Sequence, residues 1–233
     1  MTIQTTYTAT RFLACADAYI RSQGVFPETG ADFSSYAHQL KAARPERPIA
    51  NPFCPARHFL GQGNGFWILG RDRYGEVVHT QAMRRIDLAD QPLSDFLTGQ
   101  FHQFPLAEPE PDLAKARYRA GPGARRIAGD TCYHGDFWLT KSYRGTRLSA
   151  ALSRFAQALC LLHWRPDYVF GFMPDPIAFG GLAEREGYMH TEPFSLRWRL
   201  AATGKTVECF LVWQSRADIE HIIGGSVTGD GFE

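Results

Sequence analysis

The chain has 233 residues, 44% of them hydrophobic, with 25 Lys and Arg against 24 Asp and Glu, enough for one large domain with a substantial core. A net charge of +1 and a pI near 7.7 exclude the electrostatic signature of a nucleic-acid binder or of a protein attracted to anionic membranes. No apolar run approaches the ~18 residues that span a bilayer, and the N-terminus lacks a charged-then-apolar leader pattern, so a cytoplasmic location is expected.

In chain order, residues 2–8 predict a first strand and residues 10–22 a helix whose inner face is Phe12, Leu13, Ala16, Tyr19 and Ile20. A second helix is predicted over 31–43. Residues 44–64, rich in proline and glycine, predict an irregular loop. Residues 66–69 and 76–86 form a hairpin around Asp72-Arg73-Tyr74-Gly75. The stretch 87–123 is too long for a plain connector. It carries a helix near 93–101, aromatic residues (Phe96, Phe101, His102, Phe104) and a proline-rich run from Pro105 to Pro111. It is expected to be an insertion that walls or lids a substrate site, or meets a partner in a homodimer, without entering the central core.

Residues 137–139 predict an apolar strand that runs through a short polar turn ending at Tyr143-Arg144-Gly145. An amphipathic helix follows at once, with Leu148, Leu152, Phe155, Leu159 and Leu162 recurring at three- and four-residue steps. After the break at Arg165-Pro166-Asp167, residues 168–173 form a near-continuous apolar run, which suits a strand buried on both faces. Strand, helix and strand of this length make a right-handed βαβ unit. Asp175-Pro176 then opens a short helix ending at Gly187. A hairpin follows, with Phe194, Leu196, Trp198 and Leu200 alternating against Ser195, Arg197 and Arg199, and returning through 207–213. Tyr188, Trp138 and Trp198 are expected in the core, and His190 and Glu192 at solvated strand ends. The glycine-rich tail 224–233 is expected to be loose.

The turn before the second half carries the chemistry. A strand that feeds a helix N-terminus aims unpaired backbone N–H groups, and the positive end of the helix dipole, at one point. Such a point binds phosphate or pyrophosphate, and Arg144 adds a planar, permanently charged partner. Other motifs are weaker. Gly61-Gln62-Gly63-Asn64-Gly65 precedes a strand instead of opening a helix, so it is no dinucleotide loop. Cys160 with His163, and Cys132 with His134, offer two ligands each where zinc needs three or four, so no metal is expected. The five cysteines are odd in number and scattered, which predicts reduced thiols. No Gly-x-Ser-x-Gly elbow is present.

The stretch from about Gly135 to Tyr188 resembles the core of the GNAT superfamily, the Gcn5-related N-acetyltransferases. Tyr143-Arg144-Gly145 corresponds to the family turn whose amides hold the pyrophosphate of acetyl-coenzyme A. Glu184-Arg185-Glu186-Gly187-Tyr188 corresponds to the end of its short helix. The family turn usually reads Arg/Gln-x-x-Gly-x-Gly/Ala; here Arg147 and Ser149 stand at the two small-residue positions. Ala183 stands where many members carry a tyrosine that protonates the leaving thiolate.

The resemblance implies a single α/β domain over 1–233: a GNAT-like mixed, mainly antiparallel sheet with a central splayed parallel strand pair, flanked by helices. It implies an N-acyltransferase that moves an acetyl or acyl group from acyl-coenzyme A to a primary amine on a small molecule or peptide. Leu139, Lys141, Arg144, Gly145, Thr146, Arg147, Leu148 and Ser149 would bind the cofactor. An amine acceptor must lose a proton before it attacks a thioester, and the base is expected among Asp136, His134 and Tyr133. On a regular strand His134 and Asp136 share one face and Tyr133 takes the other, unless a bulge shifts the register. Two alternatives stay open: an acyl carrier protein as donor, and a catalytically inactive GNAT-fold module that binds or regulates.

Overall fold

A helix stands where the sequence predicts a first strand. In the computed structural model, which describes residues 2–104, 111–201 and 203–228, α1 spans Ile3–Ser22 and is capped by Thr2, whose hydroxyl accepts the Thr5 N–H. The threonines that read as extended chain bond back along this helix, Thr6 to the Thr2 carbonyl and Thr10 to the Thr6 carbonyl. Burial decides the matter: Ala9, Phe12, Ala16 and Ile20 form one closed stripe, and burying a side chain the size of Phe12 or Ile20 contributes about 1.5–3 kcal/mol.

The order then runs β1 (Phe26–Gly30), α2 (Phe33–Ala43), β2 (Gly65–Arg71), β3 (Val77–Asp87), α3 (Leu93–Gln100), β4 (Arg117–Tyr118) and β5 (Asp130–Leu139). After these come α4 (Leu148–His163), β6 (Tyr168–Pro174), α5 (Asp175–Phe179), α6 (Leu182–Arg185), β7 (His190–Arg199), β8 (Thr206–Ser215) and α7 (Arg216–Thr228). The strands form one 8-stranded sheet in the order β1-β2-β3-β5-β6-β8-β7-β4. The β5–β6 pair is parallel and the other pairings are antiparallel. The mixed sheet with a parallel pair at its centre is the one the sequence predicts; β1, an edge strand that includes Pro27 and Gly30, is an addition to it.

Helices cover both faces. On one, α1, α4 and α7 close over Ile68, Met83, Cys132, Val169 and Val212. On the other, α2, α3 and the loop after α2 close over Trp67, Ala82, Tyr133, Phe170 and Leu211. Among the described residues all five cysteines are free thiols, and Cys132, Cys160 and Cys209 are buried.

Three expectations give way here. The 87–123 insertion does enter the core: Leu93, Leu97 and Phe104 are buried, and the Phe104 ring meets Tyr133, Phe170 and Phe172. Its far end supplies β4, which pairs with β7. A proline-rich frame reads as surface, but its aromatics are too apolar to stay there; residues 105–110 of that run lie outside the described residues. The tail is helical through 224–228, because Ile219 and Ile223 are buried against the α1 and α4 layer and carry the glycines along; residues 229–233 lie outside the described residues. In β7, Phe194 breaks the predicted alternation. It adopts φ +60° and is half exposed while Ser195 is buried, and the register shifts between Glu192 and Leu196.

Candidate active site at the split between two parallel strands

The parallel strands stay together for a short distance. Thr131 pairs with Tyr168, Cys132 with Val169 and Tyr133 with Phe170, after which β5 and β6 diverge. At the same level β5 bulges: against β3, Gly135 faces Ala82 and Trp138 faces Thr80, so Asp136 and Phe137 together oppose Gln81. Asp136 takes φ +56°, a left-handed conformation that Asp tolerates better than most residues. The extra residue reverses the alternation. Cys132, Phe137 and Leu139 face the α4 side, as does His134, which bonds Gln81 beneath α4, whereas Tyr133 and Asp136 face the α2 side. The expected pairing of His134 with Asp136 on one face is therefore corrected by the bulge.

Asp136 is held by an arginine that the sequence did not single out. Arg44, the residue that ends α2, is fully buried, and its Nη2 donates to Asp136 Oδ1 at 2.6 Å with both side chains 0% exposed. Thr80 donates its hydroxyl to the Asp136 carbonyl at 2.9 Å. Arg44 Nε and Nη1, Asp136 Oδ2 and the Tyr36 hydroxyl are buried with no hydrogen-bond partner among the described residues. Tyr133 lies against Phe53, Phe104 and Phe170. Burial first, and the Asp136 charge second, push its hydroxyl above the ordinary tyrosine range, so it keeps its proton.

On the other face His134 joins a buried chain of hydrogen bonds. Gln81 Nε2 donates to the Leu152 carbonyl at 2.8 Å, which leaves Gln81 Oε1 as acceptor for His134 Nε2 at 3.0 Å. His134 Nδ1 is then free to accept from the Tyr188 hydroxyl at 2.7 Å. Burial lowers His134 to about 4, so the ring is neutral near pH 7. Tyr188 is in the core as expected, with its hydroxyl at the split: a Cβ on Gly171 would stand 2.8 Å from the His134 carbonyl and 3.4 Å from the Tyr188 hydroxyl. Ser153 and Gln157 of α4 are buried here too, and Gln157 donates to the Glu186 carbonyl at 3.0 Å. Glu186 Oε1 is buried without a partner among the described residues, and burial raises the carboxyl to about 8.

The turn after β5 is a candidate anion seat. Arg144 folds back so that its Nε donates to the Leu139 carbonyl at 2.7 Å. Gly145 takes φ +80°, with open space where a side chain would stand. Thr146 accepts the Leu148 N–H at 3.2 Å, and Ala151 bonds the Arg147 carbonyl. Among the described residues no acceptor is found for the N–H groups of Gly145, Thr146, Arg147, Ser149 and Ala150. Lys141, Arg144 and Arg147 are exposed around them. Free amides, a helix start and three cations fit a phosphate. Leu139 and Leu148 are buried members of the turn that contribute backbone groups to its internal bonding.

His190 and Glu192, expected to be solvated, have partners. His190 stacks on Trp213 and bonds Asp218, and Glu192 accepts the Gly123 N–H at 2.6 Å. Two surface hollows, of about 340 and 190 Å³, lie away from the split, beside Arg216 and beside Gln4. Among the described residues no group of three or more His, Cys, Asp or Glu is placed to hold a metal, and no helix is long and apolar enough to cross a membrane.

Strand order, mixed polarity and the split parallel pair give the chain the GNAT fold. No protein-family model and no curated protein matches its sequence. Among similar solved structures is NAA60 of Arabidopsis thaliana in complex with acetyl-CoA, with a TM-score of 0.47 and 11% identity over 81% of this chain and 98% of its own. ElaA of Escherichia coli gives 0.44 and 12% over 82% and 99%. The aminoglycoside acetyltransferase AAC(6')-Ib, in complex with coenzyme A and kanamycin, gives 0.44 and 10% over 84% and 98%.

Proposed function

We propose that the chain is an acyl-coenzyme A dependent N-acyltransferase acting on a primary amine. The observation that carries this reading is the set of open amides of Gly145, Thr146, Arg147, Ser149 and Ala150, at the start of α4 and directly after the split strand. These amides, with Arg144 and Lys141, would hold the pyrophosphate of the cofactor, which supplies an acyl group activated as a thioester. Arg147 points to solvent beside them, in a position to add a phosphate contact.

Proton transfer would belong to the pair His134 and Tyr188. The acceptor's ammonium must lose a proton to become nucleophilic. Tyr188 Oη would take it as its own proton passes to His134 Nδ1, which the Gln81 contact leaves as the accepting nitrogen; the proton that the nitrogen sheds after attack would go to the departing thiolate, and His134 would return the first one to solvent. Asp136 would act from the other face as the counter-charge that fixes Arg44 and the bulge, and Tyr133 as an apolar wall. Calorimetric titration with acetyl-CoA tests the reading, followed by thiol release with a panel of amines. A saturable one-to-one isotherm is expected. Absence of binding would refute it and favour an acyl carrier protein donor or an inactive module.

A further inference from the structure

The face of the sheet that carries the bulge holds more positive charge than it can neutralise. Arg44 is fully buried and uses one of its three nitrogens on Asp136, while Nε and Nη1 meet nothing among the described residues. Arg47 follows three residues later, its N–H bonded to the Arg44 carbonyl. Burial and the charges of Arg44 and Arg144 lower its guanidinium, while Asp136 and Tyr36 oppose them. Arg84 reaches in from β3, its Nη1 donating to the Pro52 carbonyl at 3.2 Å, and it lies close enough to influence the Tyr133 hydroxyl. Among the described residues neither Arg47 nor Arg84 has a carboxylate within ion-pair distance. Thus Arg44 alone is paired with Asp136, and two half-buried guanidiniums stand nearby with no carboxylate partner among the described residues.

Withdrawn charges of one sign are costly unless something of the opposite sign joins them. Arg47 stands between the two groups of charges, near enough to Arg144 to feel it on one side and to Asp136 on the other. The free amides surround the α4 start, while Arg44 and Arg84 sit at the bulge, around Tyr36 and Tyr133 on the α2 side. The half-buried Arg47 is the member within reach of solvent; Arg44 forms the floor. The surrounding rings, Tyr36 on Trp67 and Phe53 on Tyr133, give the cluster apolar walls.

Resting on the acyltransferase reading, we infer that the acceptor amine carries a carboxylate and that Arg47, backed by Arg44, receives it on the α2 face. Arg47 is then a specificity-determining residue, and acceptors of the amino-acid type are preferred over the corresponding plain amines. The guanidinium plane matches a carboxylate better than an ammonium does.

The test uses the whole chain in three forms: wild type, Arg47→Gln and Arg47→Lys, each first titrated with acetyl-CoA and melted as a check of folding. Phenylacetate, phenylacetamide and phenylphosphonate are then titrated into the protein saturated with coenzyme A. Phenylalanine is compared with 2-phenylethylamine as acceptor. Phenylacetate is expected to bind wild type at least tenfold more tightly than phenylacetamide. Arg47→Gln should lose about ten- to a hundredfold of that affinity, Arg47→Lys less, while acetyl-CoA affinity changes less than twofold. Equal binding of phenylacetate and phenylacetamide to wild type overturns the inference, as does a tenfold preference for the phosphonate. An Arg47→Gln variant that loses acetyl-CoA affinity by the same factor makes Arg47 a cofactor contact and also overturns it. If wild type binds no acetyl-CoA, the acyltransferase reading falls and takes this one with it.

Discussion

Substituting Asp136 by Asn tests the buried pair on which the bulge depends. Asparagine keeps the size of the side chain and the tolerance for φ +56°, so the backbone can stay as it is. What disappears is the only carboxylate within ion-pair distance of Arg44 among the described residues, and the Arg44 side chain is 0% exposed. Leaving one member of a buried pair without its partner costs about 3–5 kcal/mol. For a domain of this size that corresponds to a fall in Tm of roughly 6–20 °C. Arg44→Met should cost a similar amount by stranding Asp136. The double variant Arg44→Met/Asp136→Asn strands neither charge and should be more stable than either single one. Urea unfolding at pH 7, followed by circular dichroism with a common m-value, measures all three. Added salt should rescue neither single variant, since a buried pair is screened little. A loss below about 1 kcal/mol for Asp136→Asn, or a double variant that falls by the sum of the singles, would refute the reasoning.

Other substitutions separate packing, protonation and binding. Phe104→Ala should cost about 3–5 kcal/mol in urea unfolding, since a buried ring is removed from among three others; a cost under about 1 kcal/mol would return the insertion to the surface. Burial raises Glu186 from 4.5 to about 8, so the folded chain keeps a proton there that the unfolded chain releases above pH 4.5. Stability should therefore fall as pH rises through that window, by about 1.4 kcal/mol per unit. Glu186→Gln should remove this slope and exceed wild type at pH 8; parallel stability curves would count against it. Arg144→Ala should weaken acetyl-CoA binding by about ten- to a hundredfold in calorimetry, and an unchanged Kd would remove Arg144 from the site.

The second half of the chain was legible because its signals are local. The stripe from Leu148 to Leu162, the apolar run of β6 and the turn at Tyr143-Arg144-Gly145 are read within a window of a few residues, and the structure places helix, strand and free amides there. What stayed hidden depends on residues far apart in sequence. Arg44 lies 92 positions from Asp136, and an arginine at a helix end reads as surface until its partner is seen. Phe104 looks like a lid residue until Phe170 and Phe172 arrive from another strand. The bulge leaves no compositional mark: Gly135-Asp136 permits it, but only the pairing with β3 shows that two residues oppose one. The threonines of α1 satisfy a strand pattern as well as a helix, and only the burial of Phe12 and Ile20 resolves the tie.

The packing of α1 on both α4 and α7 sets an order of events during synthesis. Helix α1 carries an apolar stripe of Ala9, Phe12, Ala16 and Ile20, and leaves the ribosome more than a hundred residues ahead of its helical cover, which starts with Leu148 and its neighbours. The final part of that cover, Ile219 and Ile223, emerges last. Until then the stripe is exposed to solvent and to chaperones, so docking of α1 should be among the last steps of folding. Nascent chains arrested before residue 216 should therefore fold their sheet yet remain more readily cut within α1 than the released protein.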